Sequence, residues 1–198
     1  MMIRKKVGIL IYDEVEVLDF AGPFEVFSIT EYGVNNEKAF EVHTVAKSKK
    51  LINARNGLKI QPDYDFYDEP QFDILIIPGG YGAEEIEIHD PMTINWLRRK
   101  VDHVEIMASV CTGAFLLAEA GLLDGKKVTT HWMDIDRLEK EYPRVSVLRD
   151  VKFVDAFPII TSGGISAGIN MSFYILKKLL GEDIAKNTAK RMEYDINS

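Results

Sequence analysis

The stretch Ile106-Met107-Ala108-Ser109-Val110-Cys111-Thr112-Gly113-Ala114-Phe115-Leu116-Leu117-Ala118 decides how this chain is read. Ile106 to Val110 is a mostly apolar run of the kind a strand needs when it is covered on both faces, and Ala114 to Ala118 is apolar again. Between them, Ser109-Val110-Cys111-Thr112-Gly113 has the small-x-nucleophile-x-Gly form of a strand-to-helix elbow, with Cys where hydrolases often place Ser. Ser109 and Gly113 are small enough to allow the sharp turn. Such a turn holds the sulfur over a helix N-terminus, where unpaired N–H groups and the macrodipole favour the thiolate. The plain alternative is a buried Cys serving as a small hydrophobe.

Similar apolar runs lie on either side of this stretch: Val7-Gly8-Ile9-Leu10-Ile11, Ile74-Leu75-Ile76-Ile77 and Pro158-Ile159-Ile160-Thr161. Phe40 to Val45 and Lys127 to Thr130 are weaker strand candidates. Helical stretches separate the runs. Pro23 is expected at a first helical position before Phe24-Glu25-Val26-Phe27, Asp90-Pro91 opens a second helix, and Ser166 is placed to cap a third that ends at Gly181. In that third helix Ile169, Phe173, Leu176 and Leu180 form one apolar stripe, with Lys177 and Lys178 opposite. A polar segment from Glu182 to about Tyr194 is expected on the surface, and Asn53 to Leu58 carries an Asn-Gly hairpin signal. Strands alternating with helices predict an α/β fold around a parallel sheet, and with no linker or repeat we expect a single domain over 1–198.

Composition excludes several classes. The 198 residues are 46% hydrophobic and 28% charged, which argues against a disordered tail. One Cys excludes intrachain disulfides and four-Cys zinc sites, and the spacing of His, Asp and Glu predicts no metal site. Net charge is −7, and the one tight basic cluster is Lys47-Ser48-Lys49-Lys50, so no nucleic-acid partner is expected. The start, Met1-Met2-Ile3-Arg4-Lys5-Lys6, leads into an apolar run too short for a signal or membrane helix, and the protein is expected in the cytoplasm with no membrane partner. At 22.5 kDa the folded surface should be roughly 9,500 Å².

In an open parallel sheet the loops after the strands converge on one edge. That edge would gather Tyr12 to Pro23, Pro78-Gly79-Gly80-Tyr81-Gly82, Cys111-Thr112-Gly113, His131-Trp132 and Ser162-Gly163-Gly164-Ile165-Ser166. Asp19, between Leu18 and Phe20, is either a carboxyl whose pKa burial raises or a loop carboxylate capping the helix near Pro23. Gly79 and Gly80 offer backbone N–H groups to a developing negative charge, or simply end a strand. His131 is read as a structural histidine or as part of the binding edge. Gly80-Tyr81-Gly82-Ala83-Glu84-Glu85 has Glu at the third Gly position of a dinucleotide fingerprint, and Gly163 to Gly168 lacks the Lys of a phosphate-binding loop, so no cofactor is expected.

These residues resemble the ThiJ/PfpI superfamily. Leu18-Asp19-Phe20-Ala21-Gly22-Pro23, Pro78-Gly79-Gly80, Ser109 to Ala114, Ala120-Gly121-Leu122-Leu123-Asp124-Gly125, Thr129-Thr130-His131-Trp132 and Thr161 to Gly168 carry the resemblance in order along nearly the whole chain. The subgroup it is most similar to holds isonitrile hydratase and the ligand-sensing domains of AraC-type regulators. The resemblance implies a flavodoxin-like three-layer sandwich, a mostly parallel central sheet with helices on both faces, an elbow Cys and a homodimer. It implies catalysis by Cys111, Asp19 and Thr112, with Gly79, Gly80 and His131 at the oxyanion or substrate. The reaction would be hydration of a small-molecule isonitrile to an N-substituted formamide, with Leu18 and Phe20 helping to enclose Asp19 and Tyr81, Trp132 or Phe20 lining the pocket. A small-molecule or redox-sensing module without turnover, and a protease- or amidase-like hydrolase, are the alternatives. The superfamily's intracellular proteases have His directly after the Cys, and here that position is Thr112. Relatives also read Gly-Ile-Asp-Met where this chain has Gly168-Ile169-Asn170-Met171.

Overall fold

The computed structural model describes residues 4–196, so Met1-Met2-Ile3 of the leader reading lie outside the described residues. Its central sheet has seven strands, labelled here in chain order: β1 (Lys5–Leu10), β2 (Phe40–Ala46), β3 (Tyr64–Asp65), β4 (Ile74–Ile77), β5 (Ile106–Val110), β6 (Phe153–Ala156) and β7 (Ile159–Ser162). Their spatial order is β6-β7-β5-β4-β1-β2-β3, parallel throughout except for the β6–β7 pair. One register row runs Thr44, Ile9, Ile76, Ala108, Ile160, every member buried, which is why these strands read as continuous rather than alternating apolar runs.

The helices are α1 (Val17–Ile29), α2 (Tyr81–Glu85), α3 (Pro91–Lys100), α4 (Gly113–Glu119), α5 (Ile135–Glu141), α6 (Ala167–Leu180) and α7 (Glu182–Arg191). The chain leaves β1 toward β2 on one side, then passes from β4 to β5 on the other. Right-handed crossovers then place α1 on one face and α3 with α4 on the opposite face. α6 packs beside α1 and completes the flavodoxin-like α/β sandwich. The accessible surface is 9584 Å², close to the expectation from mass.

Several local expectations hold. Asp90 caps α3 through Met92 N–H, and the Asn56-Gly57 turn, with φ of +61° and +87°, joins the paired Ile52–Asn53 and Lys59–Ile60 strands. Others need correction. Pro23 lies inside α1, not at its start. The apolar residues Val17 and Phe20 bring the helix in earlier, and Pro23 removes the N–H that would have bonded the Asp19 carbonyl. Asp19 therefore sits on the first turn of a helix rather than in a loop. Ser166 stands at the α6 N-cap without a side-chain cap bond. Lys127–Val128 pairs with Ser146–Val147 outside the central sheet, which gains instead the half-buried edge strand β6.

Candidate functional site

The sheet order reverses direction between β1 and β4, so the loops after these strands part and leave a crevice, the usual ligand position in such folds. The two loops are stitched together by Glu16 N–H to Gly79 O at 2.9 Å and Gly82 N–H to Glu14 O at 3.2 Å. The β5 elbow projects into the same place.

Cys111 has φ +55°, a left-handed conformation that costs a non-glycine residue ~1–2 kcal/mol. Surrounding bonds hold it there. Its N–H is shared between the Ser162 and Gly163 carbonyls at 3.2 and 3.3 Å, and its carbonyl accepts the Thr130 hydroxyl at 2.9 Å. Two residues on, a Cβ at Gly113 would lie 2.1 Å from the Ile77 carbonyl, so only glycine lets α4 start this close to β4. The small-residue rule read from the sequence therefore has a steric cause.

Asp19 is fully buried. Its Oδ2 accepts Gly79 N–H at 3.0 Å, while Oδ1 has no hydrogen-bond partner of good geometry. Burial raises its pKa from 3.8 to about 7, against the lowering effect of the Gly79 bond, and the nearby Glu16 carboxylate adds to the rise. The Cys111 thiol is coupled to this carboxyl. Burial pushes the thiol well above its usual range, and the Asp19 charge pushes it further, while Thr112 N–H and hydroxyl pull it down. This corrects the expectation of a thiolate favoured by the helix N-terminus: removal from water outweighs the few amide dipoles of a short helix. Near neutral pH the thiol therefore keeps its proton, while the carboxyl, titrating at about 7, is divided between its protonated and ionised forms.

Gly79 and Gly80 reach the site, but their N–H groups are already engaged, Gly79 by Asp19 and Gly80 by Thr112 Oγ1 at 2.9 Å. They position the acid and the threonine; the expectation that they offer open donors is corrected. Leu18 is 40% exposed and turns away from Asp19, because it follows the helix surface, whereas Phe20 is buried. Tyr81 is exposed and Trp132 is 75% exposed.

His131 is brought to the elbow although its strand lies outside the sheet, since Thr129 N–H bonds Thr161 Oγ1 at the end of β7. Its Nδ1 faces Asp134 Oδ2 at 3.3 Å and accepts Met133 N–H at 3.4 Å. Gly164 separates it from the thiol: a Cβ there would stand 2.4 Å from His131 Cδ2 and 2.7 Å from Cys111 Sγ. Beyond Gly164 opens a cavity of about 640 Å³ lined by Thr130, Trp132, Val151, Gly163, Gly164 and Ala167 among others. Asn170, the departure noted in the sequence, lines the same cavity and accepts the Tyr194 hydroxyl at 3.1 Å.

Residues not singled out from the sequence also belong here. Glu84, half-buried and raised in pKa mainly by desolvation, hydrogen-bonds Thr112 and pairs with Arg137 at 3.3 Å. The signal available was its place one turn after Gly80, in a segment read only as a failed dinucleotide motif. Among the described residues, no group of three His, Cys, Asp or Glu side chains is arranged to hold a metal ion, and no helix is long and apolar enough to cross a membrane.

The isonitrile hydratase of Pseudomonas putida is 31% identical over 191 residues, covering 96% of this chain and 78% of that protein. The HTH-type transcriptional regulator CdhR of Pseudomonas aeruginosa is 29% identical over 149 residues, 75% of this chain but 44% of the regulator. A ThiJ/PfpI family protein from Pseudomonas syringae superposes with a TM-score of 0.86 at 26% identity, over 98% of this chain and 76% of that one. The family thus includes proteins named as enzymes and proteins named as regulators. With the family model for DJ-1/PfpI matching residues 5–178, the chain belongs to the DJ-1/PfpI family.

Proposed function

We propose that the protein is a cysteine-dependent hydratase that adds water to a small isonitrile. The observation that carries this reading is the Asp19–Cys111 pair, buried together at the switch point of the sheet, with Asp19 Oδ2 held by Gly79 N–H. An isonitrile carbon needs a nucleophile and then a proton on the same atom, and this pair supplies both. As Cys111 sulfur bonds to the terminal carbon, its thiol proton passes to the Asp19 carboxylate. Asp19 then gives that proton to the carbon, leaving a thioimidate on Cys111. Water adds to the thioimidate carbon, the nitrogen takes one of its protons, and the C–S bond breaks as sulfur regains the other. The product is an N-substituted formamide, and the sum is isonitrile plus water.

Shape supports the same substrate class. Cys111 is 6% exposed, and Gly164, which lines the cavity, puts no side chain between the cavity and the sulfur. A rod-like terminal C≡N group fits such an approach better than a carbonyl substituted on both sides, and the cavity beyond Gly164 has room for the remainder of the molecule. Thr112 supports the sulfur through its N–H and hydroxyl during attack.

The test is production of N-cyclohexylformamide from cyclohexyl isocyanide by the wild type, Cys111→Ala and Asp19→Asn. Turnover by the wild type alone is expected. An inactive wild type would remove this substrate, and an active Cys111→Ala would remove the mechanism. The likeness to CdhR favours one other reading, a sensing domain that binds without turnover. Stoichiometric capture of peroxide or an electrophile at Cys111, with no product from isonitriles, would select it.

A further inference from the structure

Tyr12 follows β1 and is 3% exposed. Its hydroxyl donates to the Pro78 carbonyl, and the Gly79 carbonyl lies at 3.4 Å. The Pro78 carbonyl and the Gly79 N–H belong to one peptide group, and that N–H donates to Asp19 Oδ2 at 3.0 Å. The phenol, one amide and the carboxylate are thus joined in series. We propose that Tyr12 is a positioning residue that sets the proton affinity of Asp19 through the peptide between Pro78 and Gly79.

The physical basis is cooperativity. A donor on an amide oxygen draws charge from the amide and makes its N–H a stronger donor, by about 10–30% per bond. A stronger donor on Oδ2 favours the ionised carboxylate. Without this bond, burial would hold Asp19 more firmly in its protonated form, unable to accept the thiol proton. Packing alone does not account for the hydroxyl. The ring lies against Gly82, where a Cβ would stand 2.8 Å from Tyr12 Cδ2, and Phe would fill the same space. Tyr12 itself remains protonated, because burial, then Asp19, Glu87, Cys111 and Glu84, raise its pKa well above 10. The groups that act on Asp19 from neighbouring elements are Gly79 N–H after β4, Cys111 after β5, Glu16 before α1 and Arg55 in the hairpin. None of these is removed by changing Tyr12.

This inference deepens the reading of Asp19 as the proton carrier, and its test reads Asp19 directly rather than through turnover. The full-length protein with ¹³C-labelled aspartate is titrated by NMR, the Asp19 resonance being assigned by its absence in Asp19→Asn. In Tyr12→Phe the Asp19 midpoint is expected to rise by up to ~0.7 pH unit, and the low-pH limb of turnover, where turnover is found, to move with it. Replacing Tyr12 alone with 3-fluorotyrosine, a more acidic donor, is expected to move the midpoint down. A folded Tyr12→Phe with an unmoved midpoint would overturn the proposal. If Tyr12→Phe does not fold, a fluorotyrosine protein with an unmoved or raised midpoint would overturn it equally. Failure of the hydratase reading would appear separately, as wild-type protein that titrates as expected but yields no formamide.

Discussion

Asp19→Asn is expected to stabilise the folded protein at neutral pH while removing turnover. Burial raises the Asp19 carboxyl from 3.8 to about 7. At ~1.4 kcal/mol per pH unit, the ionised carboxylate costs the folded state ~4 kcal/mol relative to the unfolded chain. The sign follows from proton binding. Between about pH 4 and pH 7 the native carboxyl keeps a proton that the unfolded chain has released, so this stability is complete below about pH 4, is lost as pH rises to about 7, and is flat beyond. Asn has no charge and keeps an oxygen for Gly79 N–H, but its NH₂ replaces an Oδ1 that has no good partner. An unpaired buried amide costs ~1–3 kcal/mol, so the net gain near pH 8 is ~1–3 kcal/mol, or roughly 3–10 °C in Tm for a chain of this size. The pH dependence is the cleaner quantity, because the other carboxylates are common to both proteins and cancel. Urea unfolding from about pH 5 to about pH 8 should show the advantage of Asn growing by ~2–3 kcal/mol. An advantage that stays constant across that range would refute the claim that Asp19 carries a costly buried charge.

Three further outcomes follow from the same geometry. Alkylation of Cys111 by iodoacetamide should keep accelerating through about pH 9 without a plateau, and Asp19→Asn should bring the plateau to lower pH by removing the adjacent charge; a plateau near neutrality in the wild type would contradict the raised thiol. Thr112→Val leaves Gly80 N–H without its acceptor and the sulfur without a hydroxyl, so denaturation should show a loss of ~1–3 kcal/mol and stopped-flow alkylation a slower rate at every pH. Gly164→Ala places a methyl 2.4 Å from His131 Cδ2 and 2.7 Å from the sulfur, so alkylation should slow at least ~10-fold while circular dichroism reports a folded protein; an unchanged rate would mean reagents reach the thiol by another side.

The strands were legible where both faces are covered. β4, β5 and β7 are wholly buried and read as apolar runs, while β6 is half-buried on every residue and gave no pattern to find. The start of α1 is not legible, because Pro23 is a strong start signal in sequence, and only packing reveals that the helix tolerates it a turn and a half inside. The elbow was legible through sterics, since Ser109 and Gly113 meet a local constraint. The ionisation of Cys111 was not, because it depends on Asp19, 92 positions away in sequence and adjacent only after folding. The amides of Gly79 and Gly80 were visible as donors, but nothing local told that Asp19 and Thr112 already use them.

That last difference bears on why an elbow cysteine alone does not select a chemistry. A thiolate held by open amides is ready to attack, yet it brings no proton for the carbon it attacks. Here the donors that would have favoured an isolated thiolate are divided: Gly79 supports the acid, Gly80 orients Thr112, and Thr112 supports the sulfur. The consequence is a site with one negative charge distributed over two acids, where forming the C–S bond and protonating the carbon use the same proton in succession. Acyl transfer needs that proton on a leaving group, further from the sulfur, and would be better served by a histidine next to the cysteine. Addition to a carbon that must gain hydrogen is served by a carboxyl against the sulfur, which is the arrangement that burial of Asp19 enforces.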